Sequence, residues 1–164
     1  LIYSWIFLSL LICIALIDIF SFWIPQGLIN FGFMSGFLGL IFIGIFNNRL
    51  TEFNLLFRGL GASLISFMIF ESLRKFAKYI YKRDAIGKGD SKLIAMMALW
   101  LGPIGIILCV FISYISAAVF SLVGISLNLV KLKQAIPFAP FLALGGLTVW
   151  LLGNEFFLYK VLQI

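Results

Sequence analysis

Long apolar stretches separated by short polar breaks run the length of the chain. They are Leu1 to Ile17, Phe31 to Phe46, Leu55 to Phe70, the uncharged residues Leu93 to Val130, and Ile136 to Gly153. Four of these are close to the roughly 20 residues an α-helix needs to cross a bilayer's hydrocarbon core. The remaining one, Leu93 to Val130, holds 38 residues. As one helix it would be about 57 Å long, nearly twice the roughly 30 Å hydrocarbon thickness. It is therefore read as two spans, with Gly102-Pro103-Ile104-Gly105 as the turn. The pattern predicts an all-α, polytopic integral membrane protein with about six transmembrane helices, forming one domain over residues 1–164.

Composition strengthens this reading. The chain is 63% hydrophobic and 11% charged, with a mean hydropathy of +1.18, far too apolar for a soluble monomer. The first apolar stretch has no basic leading segment, and Asp18 followed by Pro25 makes a poor cleavage region, so it is read as a span rather than a removable signal peptide. The chain begins with Leu1 rather than Met, and its natural N-terminus is expected to lie upstream.

Charge sets the orientation. Seven of the twelve basic residues, Arg74, Lys75, Lys78, Lys82, Arg83, Lys88 and Lys92, fall between Glu71 and Lys92. The positive-inside rule makes that connection cytoplasmic. Alternation places the breaks around Pro25 and around Lys131 and Lys133 on the same side, leaving Arg49, Arg58 and Lys160 outside with both ends of the sequence. A net charge of +6 concentrated there suits an anionic membrane face better than nucleic acid.

Absences narrow the chemistry. Without histidine, Ser-His and Cys-His nucleophile pairs and most zinc or haem sites are excluded. Cys13 and Cys109 stand alone in apolar runs and read as small buried hydrophobes. Nothing resembles a phosphate-binding loop or a dinucleotide fingerprint. No metal or cofactor is expected.

Two acids stand out. Asp18 lies in Ala15-Leu16-Ile17-Asp18-Ile19-Phe20, before Ile24-Pro25, and Asp90 lies in Gly87-Lys88-Gly89-Asp90-Ser91-Lys92-Leu93. A carboxylate at membrane depth costs several kcal/mol and marks a functional site by default. Two spans separate the connections that carry them, so both face the same side. A helix from Asp90 to Leu101 covers only about 18 Å, so it has to begin near or before Gly87, drawing Asp90 into the membrane mouth. Two carboxyls at similar depth can share one proton: the ionised one activates a water and the protonated one donates to a scissile carbonyl. This aspartyl-protease chemistry requires no metal, cofactor or covalent intermediate. Gly87 and Gly89 would let the backbone approach a substrate closely.

Plainer readings stand beside this one. Asp18 could pair with a neighbouring helix, and Asp90 could cap the helix that follows it. Lys88 and Lys92 read as topology determinants at the headgroups, with a substrate-orienting role for Lys92 as the alternative. Asp84 reads as a solvated loop residue, Glu71 as an interface marker, and Glu52 and Glu155 as outer-side residues. The glycines of Gly32-Phe33-Met34-Ser35-Gly36 read as helix-packing positions.

Gly87-Lys88-Gly89-Asp90-Ser91-Lys92-Leu93 resembles the GxGDxKL motif of bacterial type IV prepilin peptidases, members of the GxGD aspartyl proteases. Asp18 with its trailing Ile24-Pro25 is similar to their other catalytic aspartate. Met97 to Gly102 resembles the helix after GxGD, and Ala135 to Gly145 their Pro-rich entry to the last span. The resemblance covers nearly the whole chain in the right order. It implies that Asp18 and Asp90 are catalytic, that Gly87, Gly89 and Lys92 support the motif, and that the substrate is a prepilin or pseudopilin helix with a basic leader. It further implies cleavage at the cytoplasmic face of a bacterial inner membrane, with lipid as the other partner. Many members carry an N-terminal segment with paired CxxC motifs and also methylate the product using S-adenosylmethionine. That segment is missing from this sequence, either because it precedes Leu1 or because this member lacks it, so no residue is assigned to methylation. A small transporter using the same acids is the rival, although no internal repeat or mid-membrane acid supports it. A catalytically dead assembly protein is the other, and the intact acids argue against it.

Overall fold

The computed structural model describes residues 2–46, 50–82, 87–128 and 136–162, excluding the side chains of 2, 43–46, 50–55, 81 and 154–162. Arg49, Arg83, Asp84, Lys131 and Lys133, and the side chains of Glu52, Glu155 and Lys160, lie outside the described residues. Five helices follow in order: α1 Ile2–Ser21, α2 Gln26–Phe46, α3 Leu50–Tyr81, α4 Lys88–Ser126 and α5 Ala139–Leu162.

The long helix α4 is broken where its sequence demands it. Gly102 has φ 72° and ψ −178°, a conformation natural to glycine, and Pro103 follows it. Contacts on the two sides of the break show that the chain reverses. Before it, Asp90 shares a cavity with Phe138 at the start of α5, and Trp100 meets Trp150 further along, at a ring separation of 6.1 Å. After it, Cys109 lies against the Leu142 carbonyl, and Tyr114 is back at Phe138, 5.1 Å between rings. A Cβ placed on Gly146 would meet both Met97 and Cys109, six residues on either side of Pro103. Among the described residues α4 thus supplies two rods, giving the six that the apolar pattern predicts, and α5 breaks in turn at Gly153 (φ 76°) into a rod and a short further helical segment.

The first arm of α4 is the core of the bundle. Ser91 and every residue from Leu93 to Leu101 are buried, so this segment is apolar on all sides. Helix α2 runs alongside in the same direction, and Gly32 and Gly36 stand where Met96 and Trp100 need room. Trp100 Nε1–H donates to the Gly32 carbonyl at 2.9 Å. This is the small-residue packing expected when lipid supplies no hydrophobic drive between helices. Helix α3 runs antiparallel, from Gly59 near the Leu99 carbonyl to Glu71 near Ser91. Tyr3, Phe7, Trp100 and Trp150 close the opposite end as an aromatic cluster.

Tyr3–Ser21, Leu56–Ile80 and Lys88–Ser126 are long and apolar enough to cross a membrane, while Gln26–Phe42 and Ala139–Gly153 are shorter apolar stretches. Their outward faces expose Trp5, Phe57, Met68, Phe111 and Leu122, the apolar exterior that a lipid-embedded bundle presents. The protein is a polytopic membrane protein. One boundary differs from the apolar pattern: α3 continues to Tyr81, so Arg74, Lys75 and Lys78 stand on a helical extension rather than a loop. Neither glycine nor proline interrupts residues 62–81, and a helix leaving the membrane has no reason to stop where its residues become charged.

Candidate active site

The two acids come from helix ends that the fold brings together. Helix α1 ends just after Asp18: Phe22 takes a positive φ of 50°, and its N–H returns to the Asp18 carbonyl at 2.9 Å, closing the helix as an αL cap. Pro25 then starts α2, its carbonyl accepting from Leu28 at 3.1 Å. Helix α4 begins at Lys88 with Gly87 as its N-cap, without a side-chain capping bond. Asp90 is therefore in the first turn, and its carboxylate accepts from the N–H of the N-cap Gly87, so the helix-start role weighed for it is present beside its place on the cavity wall.

Asp18 and Asp90, 72 positions apart in the sequence, line one cavity of about 640 Å³, near enough for their charges to interact. Its other walls are Phe22, Trp23, Ile24 and Gln26 between α1 and α2, Gly87, Lys88, Gly89 and Lys92 at the start of α4, and Ile136, Pro137 and Phe138 before α5. Asp18 is buried, at 5% exposure, and Asp90 is half-buried. Asp18 Oδ2 accepts from the Ala139 N–H at 3.1 Å. The pairing with a neighbouring helix weighed for Asp18 is real, and it coexists with a position on the cavity wall.

Each motif glycine has a specific neighbour. A Cβ on Gly87 would lie 3.0 Å from Asp90 Oδ2, so the missing side chain leaves the carboxyl its space. A Cβ on Gly89 would lie 3.0 Å from the Ile24 side chain, so Gly89 lets the first turn of α4 rest on the connection after Asp18. In this way the two halves of the site touch through Ile24 and Gly89. Lys92 donates from Nζ to Gln26 Oε1 at 2.7 Å, and Gln26 Nε2 in turn donates to Asn30 Oδ1 at 3.1 Å.

Two features escape sequence reasoning. Gln26 is the polar residue immediately after Ile24-Pro25 and opens a largely apolar helix, which was the available signal. Glu71 is more than an interface marker: it pairs with Arg74 and accepts from the fully buried Ser91 hydroxyl at 3.5 Å, linking α3 to the motif.

Known proteins resemble this chain. The type IV leader peptidase family matches residues 5–122. The chain is 26% identical over 145 residues to a prepilin leader peptidase/N-methyltransferase of Stutzerimonas stutzeri, covering 88% of this chain and 47% of that protein. It is 30% identical over 122 residues to one of Legionella pneumophila, covering 72% and 41%. With one of Burkholderia pseudomallei it shares 35% identity over 75 residues, 46% of this chain and 24% of the other. The chain spans about half the length of the relatives it matches. No solved structure matches it. With the family's match running from α1 through most of α4, across both acids and the motif between them, the chain belongs to the type IV leader peptidase family.

Proposed function

We propose that the chain is a membrane aspartic endopeptidase that removes the basic leader from prepilins or pseudopilins, with Asp18 and Asp90 as the catalytic pair. The observation that carries this reading is the shared cavity: two acids from separate helices line one half-open, partly apolar space. The ionised carboxyl takes a proton from a water, whose oxygen attacks the scissile carbonyl. The protonated carboxyl hydrogen-bonds the developing oxyanion. Collapse breaks the C–N bond, and the leaving amine takes a proton from the dyad. The product strands are a leader ending in a carboxylate and a pilin chain with a new amino terminus. The proposal covers hydrolysis alone.

Orientation follows from charge. Arg74, Lys75, Lys78, Lys88 and Lys92 gather at the end of the bundle that carries the acids, and Arg58 lies towards the other. The positive-inside rule turns the cavity to the cytoplasm of a bacterial inner membrane, where a basic leader would meet it while the pilin's apolar helix stays in lipid. The test is cleavage of a prepilin-type substrate by the purified chain in lipid, followed by mass spectrometry. Native protein releases the leader and the Asp18→Asn and Asp90→Asn variants do not; full activity in both variants would end the proposal.

A further inference from the structure

Hydrolysis of a peptide creates a carboxylate beside two carboxyls that repel it. A cation beside the site would lower the cost of that new charge. Two lysines line the cavity, Lys88 and Lys92. Lys88 is exposed, whereas Lys92 is half-buried and held by Gln26 Oε1 at 2.7 Å. Lys92 also lines an apolar groove of about 440 Å³ between α2, α3 and α4, beside Phe33, Phe67 and Ala95. An ammonium has three N–H donors, and Gln26 takes one. Gln26 is neutral, so this contact positions the charge without neutralising it. We infer that Lys92, held by Gln26, receives the C-terminal carboxylate that cleavage creates, giving the site a preference for the acid form of the released leader.

This inference rests on the peptidase reading, deepening it by assigning a product subsite. Its test reads binding rather than turnover. A short basic peptide ending in glycine, carrying a fluorophore at its N-terminus, is prepared as free acid and as C-terminal amide. Each is titrated into the full chain in lipid nanodiscs. The native chain binds the acid about tenfold more tightly than the amide, the effect of one charge-assisted hydrogen bond. Lys92→Gln brings that ratio to one, Lys92→Arg keeps most of it, and Gln26→Ala reduces it. The ratio is read within one preparation, so partial unfolding of a variant does not mimic the result. A native ratio near one, or a ratio that survives in Lys92→Gln, overturns the inference. If the native chain cleaves a prepilin-type substrate yet shows no acid preference, the product subsite falls and the peptidase reading stands. If it cleaves nothing and binds neither form, both fall together.

Discussion

The Asp18 carboxylate accepts a hydrogen bond at 3.1 Å from the backbone N–H of Ala139, 121 residues later. Asp18 thus serves the first N–H of α5 as a helix cap would, although it belongs to a different helix. A candidate catalytic group and the placement of the last span are the same interaction.

That dual role separates two substitutions. Asp18→Asn keeps an oxygen for Ala139, so thermal unfolding in detergent stays near native while cleavage falls by at least about a hundredfold. Asp18→Ala loses both, with a further stability cost of about 1 kcal/mol from the lost cap. Asp90 likewise accepts from the Gly87 N–H at the start of α4, so Asp90→Asn keeps an acceptor there and stays nearer native stability than Asp90→Ala. Equal unfolding temperatures for Asp18→Asn and Asp18→Ala would contradict the capping account.

The contact between Gly89 and Ile24 predicts a rescue. Gly89→Ala places a methyl 3.0 Å from the Ile24 side chain, and overpacking of this kind costs about 1–3 kcal/mol. Because Ile24 follows Asp18 by only six residues, the strain should appear as lost activity as well as lost stability. Ile24→Val in the same chain returns part of both. A double-mutant cycle measures the coupling, and strictly additive effects would show that the two residues do not press on each other.

Two glycines with open space around them should respond in opposite directions. A methyl added at Gly61 in α3, or at Gly102 at the break in α4, would meet nothing within 4 Å, but only Gly102 has a positive φ. Gly61→Ala stabilises by up to about 1 kcal/mol through helix propensity. Gly102→Ala destabilises by about 1–2 kcal/mol, the cost of a left-handed backbone for an L-residue. Thermal unfolding of both variants in one detergent decides it, and a shared sign would refute the assignment of a backbone role to Gly102.

The returning arm of α4 packs on α5 through Gly145, whose Cβ would strike the Cys109 carbonyl and the Ser113 hydroxyl. Gly145→Ala separates the two rods and lowers stability by about 1–3 kcal/mol. Removing the hydroxyl with Ser113→Ala does not restore it, since the Cys109 carbonyl belongs to the backbone and cannot move alone. Full recovery in Gly145→Ala/Ser113→Ala would show that the side chain, not the backbone, sets the approach.

Much of this architecture was determined by the sequence alone. Apolar runs of bilayer length dictated helices, because lipid offers backbone groups no other partner. Gly102-Pro103 dictated the reversal of α4, because only glycine takes its backbone angles cheaply and proline cannot continue a helix undisturbed. Asp18 and Asp90 stood out because acids are few in so apolar a chain, the spacing around Asp90 carried the family resemblance, and the structure sets both on the wall of one cavity. The extension of α3 to Tyr81 was not legible, since a fall in hydropathy marks the membrane's edge and not the helix's end.

Only the tertiary structure decided which groups meet. Asp18 and Ala139, Lys92 and Gln26, Gly89 and Ile24, and Glu71 and Ser91 are pairs from different helices or their connections. Periodicity places a residue on a face and at a depth, but the rotation of one helix against another is set by packing. Here that packing is the fit of Met96 and Trp100 over Gly32 and Gly36, a match of shapes between chain segments far apart in sequence, which no local pattern encodes.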